Sequence, residues 1–326
     1  MSDTLIRRAV LTGTGTYLPE KIVTNAEMAQ RVDTSDEWIT ERTGIKQRHF
    51  AAPYETASFM GAAAGRAALE AAGMAPEKLG AIIVGTSTPD NAFPSTAVHI
   101  QAALGATSAY GFDLAAACSG FIYGLSVADA MIRAGQVDSV LVIGSEVYSR
   151  ILNFEDRGTC VLFGDGAGAV LLEARNVPKD GPGLLSTHLH SDGRLADILY
   201  VDGAVGRLDM PGHLVMHGKE VFRQAVTLLS SVVGEALAAN ALTAADIDWL
   251  VPHQANKRII EGVEKKLGFS PERVVVTVDR HANTSAASIP LALAEAVADG
   301  RIKPGQLVLL EALGGGLTWG AALVRL

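Results

Sequence analysis

Three residues in this 326-residue chain have the types and the neighbourhoods for nucleophilic chemistry. Cys118 sits in Ala115-Ala-Ala-Cys-Ser-Gly120, just after an apolar run and just before a helical pattern. Small flanking residues let a ligand approach the sulfur, and a helix N-terminus lowers thiol pKa values to roughly 3.5–7.5. His253 follows Trp249-Leu-Val-Pro252, where a buried strand emerges and the chain turns toward a helix. At such carboxyl ends α/β folds place their ligands. Asn283, in His281-Ala-Asn-Thr-Ser285, holds the equivalent position in the last quarter of the chain. Each residue type also has a purely structural use: cysteine as a small buried hydrophobe, histidine in a core, asparagine as a turn former or helix cap. The second cysteine, Cys160, lies in the strand-like run Thr159-Cys-Val-Leu-Phe163 and reads as core.

A Cys–His–Asn set admits two reaction classes. One is thiol hydrolysis of the papain type, whose partners lie at similar separations; here they follow Cys118 by 135 and 165 residues. The local signature around the protease cysteine is missing, however, and two cysteines do not mark a secreted protease. The other class is acyl transfer to sulfur followed by carbon–carbon bond formation.

Short apolar runs of the kind that fill parallel sheets occur at 81–84, 140–143 and 167–172, then again at 247–251, 307–310 and 321–324. Helical patterns lie between them: 121–132 stopped at Gly135, 221–242, and 291–297 stopped at Gly300. Alternating strands and helices predict an α/β layered fold. The order of features also repeats. Cys118 and Asn283 each follow an aspartate and precede a helix, 165 residues apart, and Gly85 and His253 close matching strands at a separation of 168. The spacing predicts two copies of one unit, residues 1–175 and 176–326, with the nucleophile in the first and His and Asn in the second. The glycine- and proline-rich segment 177–217 reads as an irregular link.

Composition narrows the field further. Hydrophobic residues make up 48% and charged ones 19%, enough for a substantial core and too apolar for global disorder. Aromatics at 6% and a net charge of −8 argue against nucleic-acid binding. Residues 1–10 show no signal-peptide pattern, and the longest charge-free run, 91–112, contains Pro94, His99, Gln101 and two glycines, so it is no membrane span. Two cysteines without a CxxC pair fit a reducing compartment, and a cytoplasmic location is expected. Gly164-Asp-Gly-Ala-Gly168 lacks the full phosphate-loop pattern and reads as a tight turn into a strand. Gly13-Thr-Gly15 also reads as a turn. His188 with His190, and His213 with His217, stand among glycines and a proline that break helical facing, so no metal site is expected.

Eight segments, in order along the chain, resemble β-ketoacyl-acyl-carrier-protein synthase III. They are Asp33-Thr-Ser-Asp-Glu-Trp-Ile39, Arg42-Thr-Gly-Ile45, Ala92-Phe-Pro-Ser95, Ala117-Cys-Ser-Gly120, Asp156-Arg-Gly158, Phe163-Gly-Asp-Gly-Ala-Gly168, Pro252-His-Gln-Ala-Asn256 and Gly314-Gly-Gly-Leu-Thr-Trp-Gly320. One departure is Ala282, where many members carry glycine before the asparagine. The resemblance implies the thiolase fold: duplicated βαβ-type halves in an α-β-α-β-α arrangement. It implies an acyltransferase that starts fatty-acid synthesis from acyl-coenzyme A and malonyl-acyl carrier protein, with loss of carbon dioxide and no cofactor, coenzyme A thioester being a substrate. Cys118 would carry the acyl group. Backbone N–H groups of Cys118 and Gly315 would hold the oxyanion, and His253 and Asn283 would stabilise the enolate left by decarboxylation. An aspartate at 283 would repel that charge.

The resemblance further implies that Trp38 and Arg157 sandwich the adenine of coenzyme A, with Arg42 near its phosphates, and that Phe93 shapes the acyl pocket. A homodimer is also implied. Gln254 to Gly268 reads as a helix with Ala255, Ile259, Ile260, Val263 and Leu267 inward and a local charge of +2. Gln254, Ala255, Asn256, Lys257 and Arg258 are therefore expected to meet an acidic carrier protein. The alternatives are a condensing enzyme or acyltransferase of secondary metabolism, and a non-catalytic paralogue that only binds acyl-coenzyme A or carrier protein. The intact Cys118, His253 and Asn283 argue against the last.

Overall fold

The computed structural model describes residues 5–203 and 207–326. The chain begins with β1 (Ile6–Tyr17), a ribbon of β2 (Ile22–Thr24) and β3 (Gln47–His49), and the helices α1 (Asn25–Met28), α2 (Asp36–Thr43) and α3 (Ala57–Ala72). Next come β4 (Ala81–Gly85), α4 (Thr96–Leu104), β5 (Tyr110–Leu114), α5 (Gly120–Arg133), β6 (Ser139–Val147) and β7 (Asp165–Val177). The remainder contributes β8 (Gly183–Ser191), the paired β9 (Leu199–Val201) and β10 (Leu214–Met216), and α6 (Gly218–Ala239). It closes with β11 (Trp249–Pro252), α7 (Lys257–Leu267), α8 (Val278–His281), α9 (Ser288–Ala298), β12 (Leu307–Gly314) and β13 (Thr318–Arg325).

The first sheet runs β1-β7-β6-β4-β5, with β7 antiparallel to both neighbours and β6, β4 and β5 parallel. The second runs β8-β13-β12-β11 with the same directions, and the parallel bridge of Leu250 to Val274 stands where β5 stands in the first. Helices α3 and α4 cover the outer face of the first sheet, and α6 covers that of the second with α7 packed beside it. Helices α5 and α9 lie between the sheets, so the layers alternate α-β-α-β-α.

Burial follows from the apolar patterns. Phe121, Ile122 and Leu125 of α5 and Ile289 and Leu293 of α9 pack with Val142, Val170, Val251, Leu310 and Ala322 of the two sheets. Each fully buried side chain of this size contributes roughly 1.5–3 kcal/mol. Gly135 and Gly300, both at positive φ, end the α5 and α9 segments at the expected places.

Several expectations are corrected. The segment 177–217 is not merely a link: β8 completes the second sheet along β13, and β9 with β10 forms a ribbon. Its histidines, serines and threonine face half-open surroundings, so the apolar alternation that marks a strand is missing. Gly13 and Gly15 lie inside β1, not in a turn. A Cβ at either would come 2.1 Å from a carbonyl of α3, so these glycines let helix and strand touch. Cys160 is buried, but in a turn: Asp156 accepts from Cys160 N through its carbonyl and from Gly158 N and Thr159 Oγ1 through its carboxylate. The helix expected from Gln254 starts at Lys257, because Asn256 caps it by accepting from Ile259 N at 3.0 Å.

Among the described residues, three of the four non-glycine residues with positive φ flank the candidate chemistry: Ala117, Ala282 and Ser285. Ala282, at φ 58° and ψ −160°, occupies a region that only glycine enters freely. Ala282→Gly should relieve about 3 kcal/mol of strain. Against this stand about 1 kcal/mol of glycine entropy and about 0.8 kcal/mol for the lost buried methyl. The net gain of about 1 kcal/mol should raise Tm by about 2 °C in a thermal melt. A lower Tm would show that the strain is not stored at this residue.

Candidate active site

Each half delivers one tight turn to the seam between the sheets. Ala117–Ser119 forms a single 3-10 turn that runs into α5, and Ser285–Ala287 forms another that runs into α9. Ser119 Oγ lies 2.7 Å from both Ala116 O and Thr318 Oγ1, and Thr318 Oγ1 in turn donates to Ala116 O. The Cys118 turn is thus latched to β13 of the other half. Backbone bonds from Asn283 N to Leu162 O and from Gly164 N to Asn283 O fasten the second turn to the first half.

Cys118, His253 and Asn283, all buried, line one cavity of about 770 Å³, together with Gly315 and Gly316. Trp38, Arg42 and Arg157 line its exposed side, with both guanidinium carbons over the Trp38 ring, at 4.6 and 5.1 Å from its centroid. Arg157 also donates to the Asp33 carbonyl at 2.8 Å. Between these ends the wall is apolar: Leu199, Leu214 and Met216 from the β9–β10 region, and Val221, Ala225 and Leu229 from α6. Leu199, Leu214 and Met216 fall in the segment 177–217 expected as a link, whereas Val221, Ala225 and Leu229 fall in the expected helix from 221.

Electrostatics at the buried end are set by desolvation. Burial pushes the Cys118 thiol up to about 12, although hydroxyls of Ser285 and Tyr148 favour its thiolate. This corrects the expectation of a lowered pKa: the helix N-terminus is present, but the sulfur is dry and the buried Glu146 carboxylate opposes a second negative charge. Burial likewise lowers His253 to about 3, so the ring is neutral. The Ser288 hydroxyl accepts from Gln254 N and lies 2.6 Å from His253 Nδ1. With the hydroxyl assigned as donor to Nδ1, the ring hydrogen sits on Nε2. Asn283 Oδ1 accepts from Ser285 N at 2.8 Å, so its amide nitrogen is the group left to donate.

Other expected site residues are dispersed. Ala255, Asn256 and Arg258 line the cavity, Arg258 with its guanidinium 5.8 Å from the Phe222 centroid. Lys257 is exposed and pairs with Glu261. Gln254 is no docking residue. It is fully buried, donating to Pro252 O and Val275 O and accepting from Thr277 N and Val278 N, which exhausts its amide. Phe93 does not line the cavity of its own chain and is 86% exposed. His188 and His190 lie two apart on β8, so they share a face, and both engage Glu235.

Residues absent from the sequence reading are Glu146, Tyr148, Ser285 and Ser288. A carboxylate just beyond the apolar run 140–143 was the signal available for the first.

The family model described as 3-oxoacyl-[acyl-carrier-protein] synthase III matches residues 112–193, and the model for its C-terminal part matches 237–326. A curated β-ketoacyl-[acyl-carrier-protein] synthase III from Acidiphilium cryptum (strain JF-5) is 70% identical over 320 residues, spanning 98% of this chain and 100% of its own length. The same enzyme from Granulibacter bethesdensis is 61% identical, again over 98% of this chain and 100% of its own. Among solved structures, 3-oxoacyl-[acyl-carrier-protein] synthase III from Aquifex aeolicus VF5 superposes with a TM-score of 0.93 at 46% identity, covering 98% of this chain and 100% of its own. The priming β-ketosynthase of the R1128 polyketide pathway reaches 0.91 at 38%, covering 100% and 98%.

Gly314 provides a direct test of the seam. A Cβ there would stand 2.6 Å from Cys118 N and 3.0 Å from Ala116 O. Gly314→Ala should therefore push the Cys118 N–H out of place and slow acylation from acetyl-coenzyme A by about 10²–10³ while the fold persists. Quenched-flow radiolabelling measures this, and wild-type acylation in the variant would refute the close approach.

Proposed function

This chain belongs to the 3-oxoacyl-[acyl-carrier-protein] synthase III family, and from that premise we propose how its residues divide the work. The activity itself is that of the family: an acyltransferase that initiates fatty-acid synthesis by condensing acyl-coenzyme A with malonyl-acyl carrier protein. In our reading, Cys118 attacks the thioester and holds the acyl group, splitting one difficult condensation into two steps. The Cys118 and Gly315 N–H groups receive the oxyanion. After coenzyme A departs, malonyl-acyl carrier protein enters and loses carbon dioxide, and its thioester oxygen gains the enolate charge. His253 Nε2–H and the Asn283 amide donate to that oxygen, and the enolate carbon then attacks the acyl-Cys118 carbonyl.

The observation that carries this reading is the pairing of two neutral donors in one dry cavity with the cysteine. A positively charged histidine would need solvation that burial denies. A neutral Nε2–H costs nothing to keep there and strengthens as charge develops.

Trp38, Arg42 and Arg157 are the proposed coenzyme A contacts, the purine stacking on Trp38 in competition with its guanidinium partners. In this reading carrier docking falls to Ala255, Asn256, Lys257 and Arg258, at the cavity and at the start of a basic helix of an acidic chain. We propose a homodimer formed along the outer edge of β5, which ends its sheet, with the exposed Phe93 reaching toward its partner. Residues 1–175 and 176–326 are proposed as duplicated halves, supported by the common strand order. The reaction as written uses no cofactor, and two free, buried cysteines suit a cytoplasmic setting. Among the described residues one helix, α6, is long and apolar enough to cross a membrane, yet its apolar face packs on the second sheet.

His253→Ala and Asn283→Ala should each slow malonyl decarboxylation about a hundredfold and leave Cys118 acylation far less affected. Asn283→Asp should do no better than alanine near neutral pH. The decarboxylation rate should show no inflection at 6.5, the usual histidine value. With its pKa lowered to about 3, His253 stays neutral until the pH falls far below that point. Carbon dioxide release measured beside radiolabel transfer to Cys118 checks all three variants. Parallel losses in both half-reactions would remove His253 and Asn283 from the enolate site.

A further inference from the structure

A buried carboxylate lies behind the nucleophile, and nothing in the condensation as described uses it. Glu146, at the end of β6, is fully buried. Its Oε2 accepts from Ser87 N at 3.0 Å, Thr88 Oγ1 at 2.7 Å and Thr86 Oγ1 at 3.3 Å. Its Oε1 accepts from Ser285 Oγ at 3.0 Å. The Ser285 hydroxyl also lies 3.0 Å from Tyr148 OH, the turn that carries Ser285 packs on the turn that carries Cys118, and both hydroxyls favour the Cys118 thiolate. We propose that Glu146 is a positioning residue that receives and returns the Cys118 proton through the Ser285 hydroxyl. The inference rests on the acyl-Cys118 reading above.

Three features support it. Anchoring the loop of Thr86, Ser87 and Thr88 needs only an acceptor, and a neutral amide would accept without the desolvation cost of a carboxylate. Among the described residues no cation is hydrogen-bonded to or ion-paired with Glu146. The titratable groups that face it are Cys118, from the turn before α5, and Tyr148, just past β6. Thr86, Ser87 and Thr88 beyond β4 and Ser285 before α9 are neutral donors. Burial raises Glu146 to about 7 against these donors, so it changes charge near neutrality. Tyr148 is held well above its ordinary value and stays neutral.

The path is also rigidly built. Ser285 is kept at φ 50°, and the adjoining Ala286 carbonyl would lie 2.1 Å from a Cβ at Gly144. Only a glycine at 144 lets the Ser285 turn rest on the strand that carries Glu146.

The steps balance. As the sulfur–carbonyl carbon bond forms, the thiol proton passes to Ser285 and the Ser285 proton passes to the ionised Glu146. The coenzyme A sulfur leaves with the electron pair of its broken bond and takes its own proton from water. After the enolate carbon attacks, the acyl–sulfur bond breaks and its electron pair returns to Cys118. The proton then comes back from Glu146 along the same path, and the site is reset with no net change.

The test is the acylation rate with radiolabelled acetyl-coenzyme A in quenched flow between about pH 5.5 and 9.5, on the full chain. In the wild type the rate should rise about tenfold per pH unit and level off above one inflection near neutrality. Glu146→Gln should be about a hundredfold slower at pH 8 and rise without that plateau toward the alkaline end. Ser285→Ala, which keeps the carboxylate and its anchor to the 86–88 loop, should give the same altered profile. Glu146→Asp should restore the inflection. Retention of the wild-type inflection by Glu146→Gln or by Ser285→Ala overturns the proposal, and should Glu146→Gln not fold, the Ser285→Ala profile decides alone. Intact mass and peptide mapping keep the two readings apart: label on Cys118 with an unchanged profile refutes only the proton path, whereas label elsewhere refutes acyl-Cys118.

Discussion

Exclusion of water from a cluster of polar side chains is the constraint on which the rest of this structure depends. The same desolvation drives Cys118 up to about 12, Glu146 up to about 7 and His253 down to about 3. Each shift favours the neutral form, so Cys118 and His253 rest uncharged and only Glu146 changes charge near neutrality. A reaction that generates an oxyanion and then an enolate therefore meets donors already aimed and not weakened by solvent. The hydrogen bonds that hold those donors, Ser288 to His253 and Ser285 N to Asn283, cost no reorganisation when charge appears.

A desolvated polar site must be closed behind its reactive groups, and the duplicated layers do this by bringing backbone very near to backbone. Gly144 receives the Ala286 carbonyl, and Gly314 receives the Cys118 amide. Positions 117, 282 and 285 are held at positive φ around the two turns. Strain of this kind persists only where surrounding packing over-determines it. Here α5 and α9, sandwiched between sheets and almost wholly apolar toward them, supply that packing.

Outside the dry zone the chemistry of recognition changes character. Trp38, Arg42 and Arg157 offer a flat ring and two planar cations at the exposed side of the cavity. They suit a stacked base with phosphates and hold no shape of their own against solvent. The chain carries a net charge of −8, yet Lys257 and Arg258 open α7 beside the cavity. An acidic partner is therefore attracted locally by a molecule that repels it overall.

The amino-acid sequence by itself determined the alternation of strands and helices, and it pointed to a repeat of two halves and to Cys118, His253 and Asn283 as the candidate reactive set. Those features are local: apolar periodicity, glycine stops and strand ends write them into a few adjacent residues. Only tertiary structure decided which neighbours do other work. Gln254 looks like a surface residue next to His253, but backbone groups 21 to 24 residues away, together with the Pro252 carbonyl, claim its whole amide. Strand β8 and the β9–β10 ribbon escaped detection because half-open strands lose the alternation that packing against a core imposes. The thiol pKa was misjudged for the same reason: a helix N-terminus is visible in sequence, whereas burial is a property of the whole fold. The meeting of Cys118, Ser285 and Glu146 was decided there too. They are separated by up to 167 residues, and only the packing of one turn on a glycine of β6 brings them together.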